Sequence, residues 1–468
     1  MKAKIALACG DGIGPEIAKA TVMILEEAGA QLEYYDLPVG LAAYQAGHQG
    51  GIPESSWEIV DSCDAILKAP ITTPSGGGVK SLNVTMRKRL GLAVNLRPCK
   101  AYAPYVKTLH PQMDLVIVRE NEEDLYAGIE YQNSQQSVQA IKLITRPGCE
   151  RIIRYAFDYA QSAGRSKVTA LVKDNIMKMT DGMFWEVFQQ IAEEYPHQES
   201  ERMIVDIGMA KVADTPEDFE VIVCENLYGD ILSDIAAQLS GSVGLCGSAN
   251  IGENFAMFEA IHGSAPDIAG KDLANPSGML QGAIMMLEHL GQAKTAALLQ
   301  NAWLSTLEDG VHTADLEGEH TKSLVGTEEF AEQVCKRLGR EPTVLKPLMA
   351  SGKAKLRPAM MVDENKERKT LGADITVHHQ GPLEDLLVKL EGIEPESISC
   401  RGSELWPGEA GQVMVTDSLC LRWQDPEAYS GWAAELQLEL CRREIEVVSC
   451  QALLQIGDKK CFSALQGE

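Results

Sequence analysis

The chain has 468 residues, 45% of them hydrophobic and 23% charged, with 41 Gly and 20 Pro. At roughly 150 residues per domain this is two or three globular domains, not a disordered, collagen-like or disulfide-stapled protein. Lys and Arg number 42 against 67 Asp and Glu, a net charge of −25, so phosphodiester backbones and anionic membranes are poor partners.

No apolar run reaches the ~20 residues that cross a bilayer, and no signal-peptide pattern opens the chain. The 12 cysteines include no Cys-x-x-Cys. Reduced thiols and a cytoplasmic location are therefore expected.

In chain order, the apolar run 4–9 predicts a buried strand. It leads through Gly10-Asp11-Gly12-Ile13-Gly14 into a helix with Pro15 in its first turn. The glycine pattern lacks the third glycine at the right spacing, so it is no Rossmann fingerprint. Further apolar segments at 65–67, 115–118, 168–172 and 221–224 are each followed by a polar or Gly-containing loop, the pattern of α/β layers.

Between Asp64 and Asp114 lie 49 residues without one Asp or Glu, where the chain's own average would place about 7. The same window carries Lys68, Lys80, Arg87, Lys88, Arg89, Arg97, Lys100 and Lys107. A solvated basic helix face explains Lys88 and Arg89 but not the loss of every acid around them. The island instead predicts a site for a small, multiply charged anion. Inside it Gly76-Gly77-Gly78 allows close backbone approach, and Ser81, Asn83 and Arg87 follow as hydrogen-bonding side chains. Arg97 and Arg119 each follow an apolar run, and planar guanidinium groups suit carboxylates.

The run 221–224 enters a predicted helix bearing Asp230 and Asp234, four residues apart and on one face. A hard cation, Mg²⁺ or Mn²⁺, would relieve their repulsion. Equally, Asp230 would cap the helix while Asp234 is solvated. Asp206, after 203–205, is a candidate third carboxylate. Next comes a small-residue loop, His262-Gly263-Ser264-Ala265-Pro266-Asp267-Ile268, followed by Asn275. Its backbone amides suit phosphate or ribose, and Asp267 could accept from a ribose diol. Residues 341–370, with three prolines and no clean period, read as a linker. Beyond it the order is strand 373–377, helix 382–390, strand 397–400, strand 418–423, helix 426–441 and strand 444–450, a β-α-β-β-α-β order matching the ferredoxin-like motif.

These segments together resemble the decarboxylating β-hydroxyacid dehydrogenases, the isocitrate/isopropylmalate dehydrogenase family, over about residues 1–340. The most specific pieces are Gly10–Glu16, Lys80-Ser81-Leu82-Asn83 through Arg87, 119–126, 173–178, 226–234 and 262–270. The C-terminal part is similar to the extra domain of longer bacterial members, through Ser403-Glu404-Leu405-Trp406-Pro407 and the ending 464–468.

The resemblance implies a non-Rossmann α/β fold with a large discontinuous domain (1–92 and 241–340). A small domain with a dimer clasp (93–240), a linker (341–370) and a ferredoxin-like domain (371–468) complete it. It also implies a homodimer whose active sites borrow Lys173 and Asp206 from the neighbouring subunit. Arg87, Arg97 and Arg119 would hold the carboxylates of isocitrate, with Ser81 and Asn83 selecting it over 3-isopropylmalate. Asp206, Asp230 and Asp234 would bind Mg²⁺ or Mn²⁺, and Tyr126 and Lys173 would be catalytic. Thr72, His262, Gly263, Ser264, Ala265, Pro266, Asp267, Ile268 and Asn275 would contact the dinucleotide.

NADP-preferring members carry a Lys-Tyr pair where this chain has Asp267-Ile268, which implies NAD. Homoisocitrate or tartrate dehydrogenase is the enzymatic alternative, and a non-catalytic regulatory subunit the other. Such subunits typically lose the tyrosine, the lysine or a metal aspartate, and all are present here.

Overall fold

The computed structural model describes residues 2–48, 50–74, 81–347, 355–359, 366–408, 413–425 and 427–464. The glycine run at 75–80 and its Lys80, most of 348–365, Pro426 and the ending 465–468 lie outside the described residues. The chain divides into two compact units, residues 1–127 with 143–360, and residues 128–142 with 361–468.

The first unit is built on one sheet. In chain order its first strands are β1 (Ala3–Ala8), β2 (Leu32–Asp36), β3 (Ala65–Lys68), β4 (Val94–Lys100) and β5 (Asp114–Glu120). After the hairpin β6 (Glu130–Gln132) and β7 (Val138–Ala140) come β8 (Lys167–Val172), β9 (Glu199–Ile204), β10 (Val221–Cys224), β11 (Gly247–Ile251) and β12 (Ala256–Ala260). The hairpin belongs to the second unit. The ten sheet strands run β2-β1-β3-β12-β11-β4-β5-β10-β8-β9. β4 is antiparallel to both β5 and β11, and β11 to β12, while the flanks are parallel.

Parallel strands need crossovers, and helices supply them on both faces. The helix Gly14–Glu27 starts on Pro15 and buries Ile17, Ile24 and Leu25. The helix Arg146–Ser162 starts at Thr145, whose side chain accepts from Gly148 N–H, and it buries Ile152, Ile153 and Phe157. A short parallel pair, β13 (Val311–His312) and β14 (Ser323–Leu324), lies outside this sheet.

The second unit contains β15 (Arg368–His378), β16 (Ser397–Cys400), β17 (Ser403–Trp406), β18 (Ser418–Gln424), β19 (Glu446–Ile456) and β20 (Lys459–Lys460). Their order is β17-β16-β18-β15-β19-β20. Without the two edge additions β17 and β20, this is the antiparallel ferredoxin-like sheet the sequence order predicts, with helices Leu383–Leu390 and Trp432–Arg442. Leu386, Leu390 and Leu440 pack with Ile375, Ile398 and Leu421 in one core. The hairpin is tied to this unit by Ser134, whose hydroxyl donates to the buried Asp417 carboxylate at 2.6 Å. Among the described residues no helix is long and apolar enough to cross a membrane.

Candidate active site

The chemistry gathers where the sheet changes direction, on adjacent strands β3, β12, β11, β4 and β5. Register places Lys68 opposite Glu259, Asn250 opposite Asn95, and Asn95 opposite Arg119. Side chains two apart on a strand share a face, so Arg97 joins this row. Strands that are otherwise mostly apolar thus carry one buried polar stripe, joined by Arg87 from the helix Leu82–Arg89.

Arg87, Arg97 and Arg119 are all at least nine-tenths buried. Burying three cations together is unfavourable without anions. Glu259 supplies one, at 2.7 Å from Lys68 Nζ and 3.5 Å from Arg87 Nη2. Asp230 supplies another, receiving Arg119 Nη1 and lying 3.5 Å from Arg97 Nη2. Burial, and then the neighbouring guanidinium groups of Arg119 and Arg87, lower Arg97 to about 10. Burial also lowers Arg87 despite Glu259. Such a pair gains when a bound anion adds negative charge.

Buried polar atoms left unpaired in the protein point to a ligand's place. Asn83 Oδ1, Arg87 Nε and His262 Nε2 are three of them. Ser81 precedes the first turn of the helix Leu82–Arg89, and its side chain makes no capping bond.

Among the described residues, Arg89 and Lys100 of the basic island make contacts away from this row. Arg89 stacks on Trp57, 4.0 Å from the ring centroid, and Lys100 pairs with Asp114 at 3.3 Å. Lys88 and Lys107 are exposed. On the helix Leu82–Arg89 the solvated-face reading fits Lys88, while the exposed Arg89 also covers Trp57.

The helix Asn226–Leu239 carries Asp230 in its second turn, not at its cap, so capping does not explain this residue. Its second carboxylate oxygen accepts from Tyr126 Oη. Burial raises the Asp230 carboxyl, but Arg119, Tyr126 and Arg97 outweigh it and hold it low. Burial and that same hydrogen bond raise the Tyr126 phenol, which stays protonated. Asp234 lies on the same helical face with an open carboxylate, 3.8 Å from Arg97 Nη1. These two hard oxygen donors suit Mg²⁺ or Mn²⁺.

Asp206 does not join them. It is exposed in the first turn of the helix Val205–Asp214 and pairs with Lys173 at 3.0 Å, a contact that lowers its carboxyl. Among the described residues no three His, Cys, Asp or Glu converge on a metal position.

The loop at 262–268 meets the first βα turn. Thr72 Oγ1 lies 2.7 Å from Ser264 Oγ, and Ile13 N–H donates to the Ser264 carbonyl at 2.9 Å. Ala265 adopts a left-handed φ of +36°, a strained choice for a residue with a Cβ and one found at ligand-holding turns. Gly263 and Pro266 are exposed beside it, and Ile268 is half-buried. Burial lowers His262, which is neutral at physiological pH. Asn275 is committed internally, donating to Asp315 at 3.0 Å and accepting from Ser277 N–H at 2.9 Å.

Sequence reasoning assigned no role to Glu259, Asn250 or Asn95. A lone acid in the apolar strand Ala256–Ala260 was the available signal for Glu259.

Residues 4–334 match the family described as isocitrate/isopropylmalate dehydrogenase, and residues 368–468 match the bacterial isocitrate dehydrogenase C-terminal domain. A Rickettsia felis protein named isocitrate dehydrogenase [NADP] is 49% identical over 99% of both chains. A Thermus thermophilus protein of the same name is 39% identical over 87% of this chain and 84% of its own. A crystal structure of a Thermus thermophilus protein superposes with a TM-score of 0.93 at 36% identity, covering 100% of this chain and 96% of that one.

These findings confirm the fold and overturn the expectation of NAD dependence, since a relative matched over 99% of this chain and another over 87% carry NADP in their names. The physical reason lies at Asp267, which is exposed in the single turn Pro266–Ile268. Water and salt weaken the repulsion between an exposed carboxylate and a phosphate unless the two are in contact, so an aspartate at this position does not by itself require NAD. The polar row, the paired aspartates, the matched residues and the full-length likeness together place this chain in the isocitrate/isopropylmalate dehydrogenase family.

Proposed function

We propose that the protein oxidises isocitrate with NADP and releases CO₂, forming 2-oxoglutarate and NADPH, in a homodimer with a divalent metal. The observation that carries this reading is the convergence of buried Arg87, Arg97 and Arg119 around Asp230, to which Tyr126 is hydrogen-bonded. The three guanidinium groups take the substrate carboxylates, and their mutual repulsion falls as they do. Ser81 and Asn83 contact the carboxylate that 3-isopropylmalate lacks.

Asp230 and Asp234, with Asp206 of a second copy, would hold a divalent metal, which when bound would supply Lewis acidity to the substrate hydroxyl and its neighbouring oxygens. Thr72 and the 262–268 loop would hold the pyridine nucleotide, which would supply the hydride acceptor. Lys173 of the second copy takes the hydroxyl proton. As the C–C bond to the leaving carboxylate breaks, its electron pair moves towards the ketone oxygen. Tyr126 then delivers a proton to the adjacent carbon. The hydroxyl proton removed balances the one returned, so the net change is one hydride to the nucleotide and one CO₂ released.

The test is nucleotide reduction with isocitrate or 3-isopropylmalate, NADP or NAD, and Mg²⁺, Mn²⁺ or excess chelator. Turnover with isocitrate and NADP, lost to chelator and restored by metal, is expected. Equal turnover of 3-isopropylmalate, or full activity in chelator, would refute it.

A further inference from the structure

The substrate arginines are not set by their own strands alone. Asn250, fully buried in the middle of β11, uses both ends of its carboxamide. Its Oδ1 accepts from Asn95 Nδ2 at 2.8 Å and from Asn121 Nδ2 at 3.1 Å. Its Nδ2 donates to Glu259 Oε1 at 2.8 Å and to the Met257 carbonyl at 3.3 Å. Asn95 in turn accepts from Arg97 Nε at 2.5 Å. Glu259 is the carboxylate that holds Lys68 and Arg87.

One side chain therefore joins the Glu259 arm, which sets Arg87, to the Asn95 arm, which sets Arg97. Arg97 and Arg87 lie on different elements, β4 and the helix Leu82–Arg89. Arg97 is also held by Ser233 Oγ at 2.5 Å and lies 3.5 Å from Asp230, both on the helix Asn226–Leu239, whereas Asn250 links its arm to that of Arg87. A neutral carboxamide meets this need because it donates at one end and accepts at the other. A hydroxyl is too short to span both arms, and a carboxylate has no donor for Glu259.

We propose that Asn250 is a positioning residue for substrate binding: it fixes the spacing of Arg87 and Arg97 by bridging Glu259 and Asn95. The inference rests on the reading that these arginines hold the isocitrate carboxylates. Residues that orient metal ligands change affinity or activity by about 10- to 100-fold when removed, and a ~1 Å misplacement of a binding group costs up to about 100-fold; a loss of the same order is expected here.

The experiment uses the full-length enzyme, with steady-state rates measured against isocitrate at saturating NADP and Mg²⁺, beside thermal unfolding. Asn250→Ala should raise the isocitrate KM by about 10- to 100-fold, leaving the NADP KM unchanged and kcat within about threefold. Asn250→Asp keeps the shape and both acceptor bonds but brings an oxygen to Glu259. The groups around that carboxyl are Glu259, Asn95, Asn121 and the Met257 carbonyl, with Lys68, Arg87 and Arg97 behind them. Two carboxylates at this distance share a proton, and only the protonated form can donate.

The isocitrate KM of Asn250→Asp should therefore approach wild type at low pH and climb with pH along a limb the wild type lacks. A merely structural residue would lower the unfolding temperature without that limb. An unchanged isocitrate KM in Asn250→Ala, or parallel pH profiles for Asn250→Asp and wild type, overturns the proposal. Wild-type enzyme that does not turn over isocitrate overturns the underlying reading instead, and that is seen before any variant is made.

Discussion

Glu259 and Glu120 are both buried carboxylates on the central sheet, yet their surroundings drive them in opposite directions. Burial would raise Glu259, but Lys68 and Arg87 outweigh it and hold the carboxyl at about 2. Glu120, at the end of β5, accepts from the backbone N–H groups of Glu122 at 2.7 Å and Glu123 at 3.1 Å, and no cation is among the groups that act on it most. Burial, joined by the charge of Glu123, pushes it up to about 7 from an ordinary 4.5. A carboxyl raised on folding binds its proton more tightly in the native state. Its cost is absent below about pH 4.5 and grows as pH rises towards 7, where the native carboxyl finally ionises. Glu259 is the reverse, contributing stability above about pH 4.5 that is lost as pH falls towards 2. Glu120→Gln, which keeps one acceptor for those backbone donors, should therefore stabilise by about 1–3 kcal/mol at pH 8 and hardly at all at pH 4. Denaturant melts at the two pH values check this, and an equal effect at both would contradict the assignment.

The turn after β1 shows what its glycines are for. A Cβ on Gly12, at φ +59°, would lie 2.0 Å from the Ser264 carbonyl oxygen, and one on Gly10 would lie 2.1 Å from that of Pro70. The glycines let two loops cross, while Asp11 accepts from Thr72 N–H at 2.8 Å and anchors the crossing. Gly12→Ala combines a left-handed backbone with a backbone collision. It should cost about 1–3 kcal/mol of stability and raise the KM for NADP more than that for isocitrate, as steady-state kinetics would show. Legibility in the sequence divides along the same line. Strand β10 and the ferredoxin-like order were readable because apolar runs and turn residues are local. Arg87 and Arg89 are two residues apart in an equally basic stretch, yet a helix turns them to nearly opposite faces. One faces Glu259 and the other stacks on Trp57. Glu259 and Asn250 stayed hidden because their partners come from β3, β4 and the helix Leu82–Arg89, which only the strand order brings together.

A single chain presents the proposed reaction's groups in two separate sets. Asp230 is bound to Arg119, Arg97 and Tyr126, whereas Asp206 is paired with Lys173. No three potential metal ligands converge among the described residues. A two-fold dimer would resolve this by placing one set of each chain against the other set of its mate, twice. Each site would then draw Tyr126 from one chain and Lys173 from the other. Tyr126→Phe and Lys173→Met chains should each be nearly inactive alone as homodimers. When they are unfolded together and refolded as a mixture, about half the dimers are hybrids. In a hybrid one site carries both lesions and the other carries none, so the mixture should recover about a quarter of wild-type activity. If each chain instead built its own site, every site would contain one lesion and mixing would restore nothing. Differently tagged chains, purified through both tags and assayed with isocitrate, would isolate the hybrid, whose activity should be about half that of wild type.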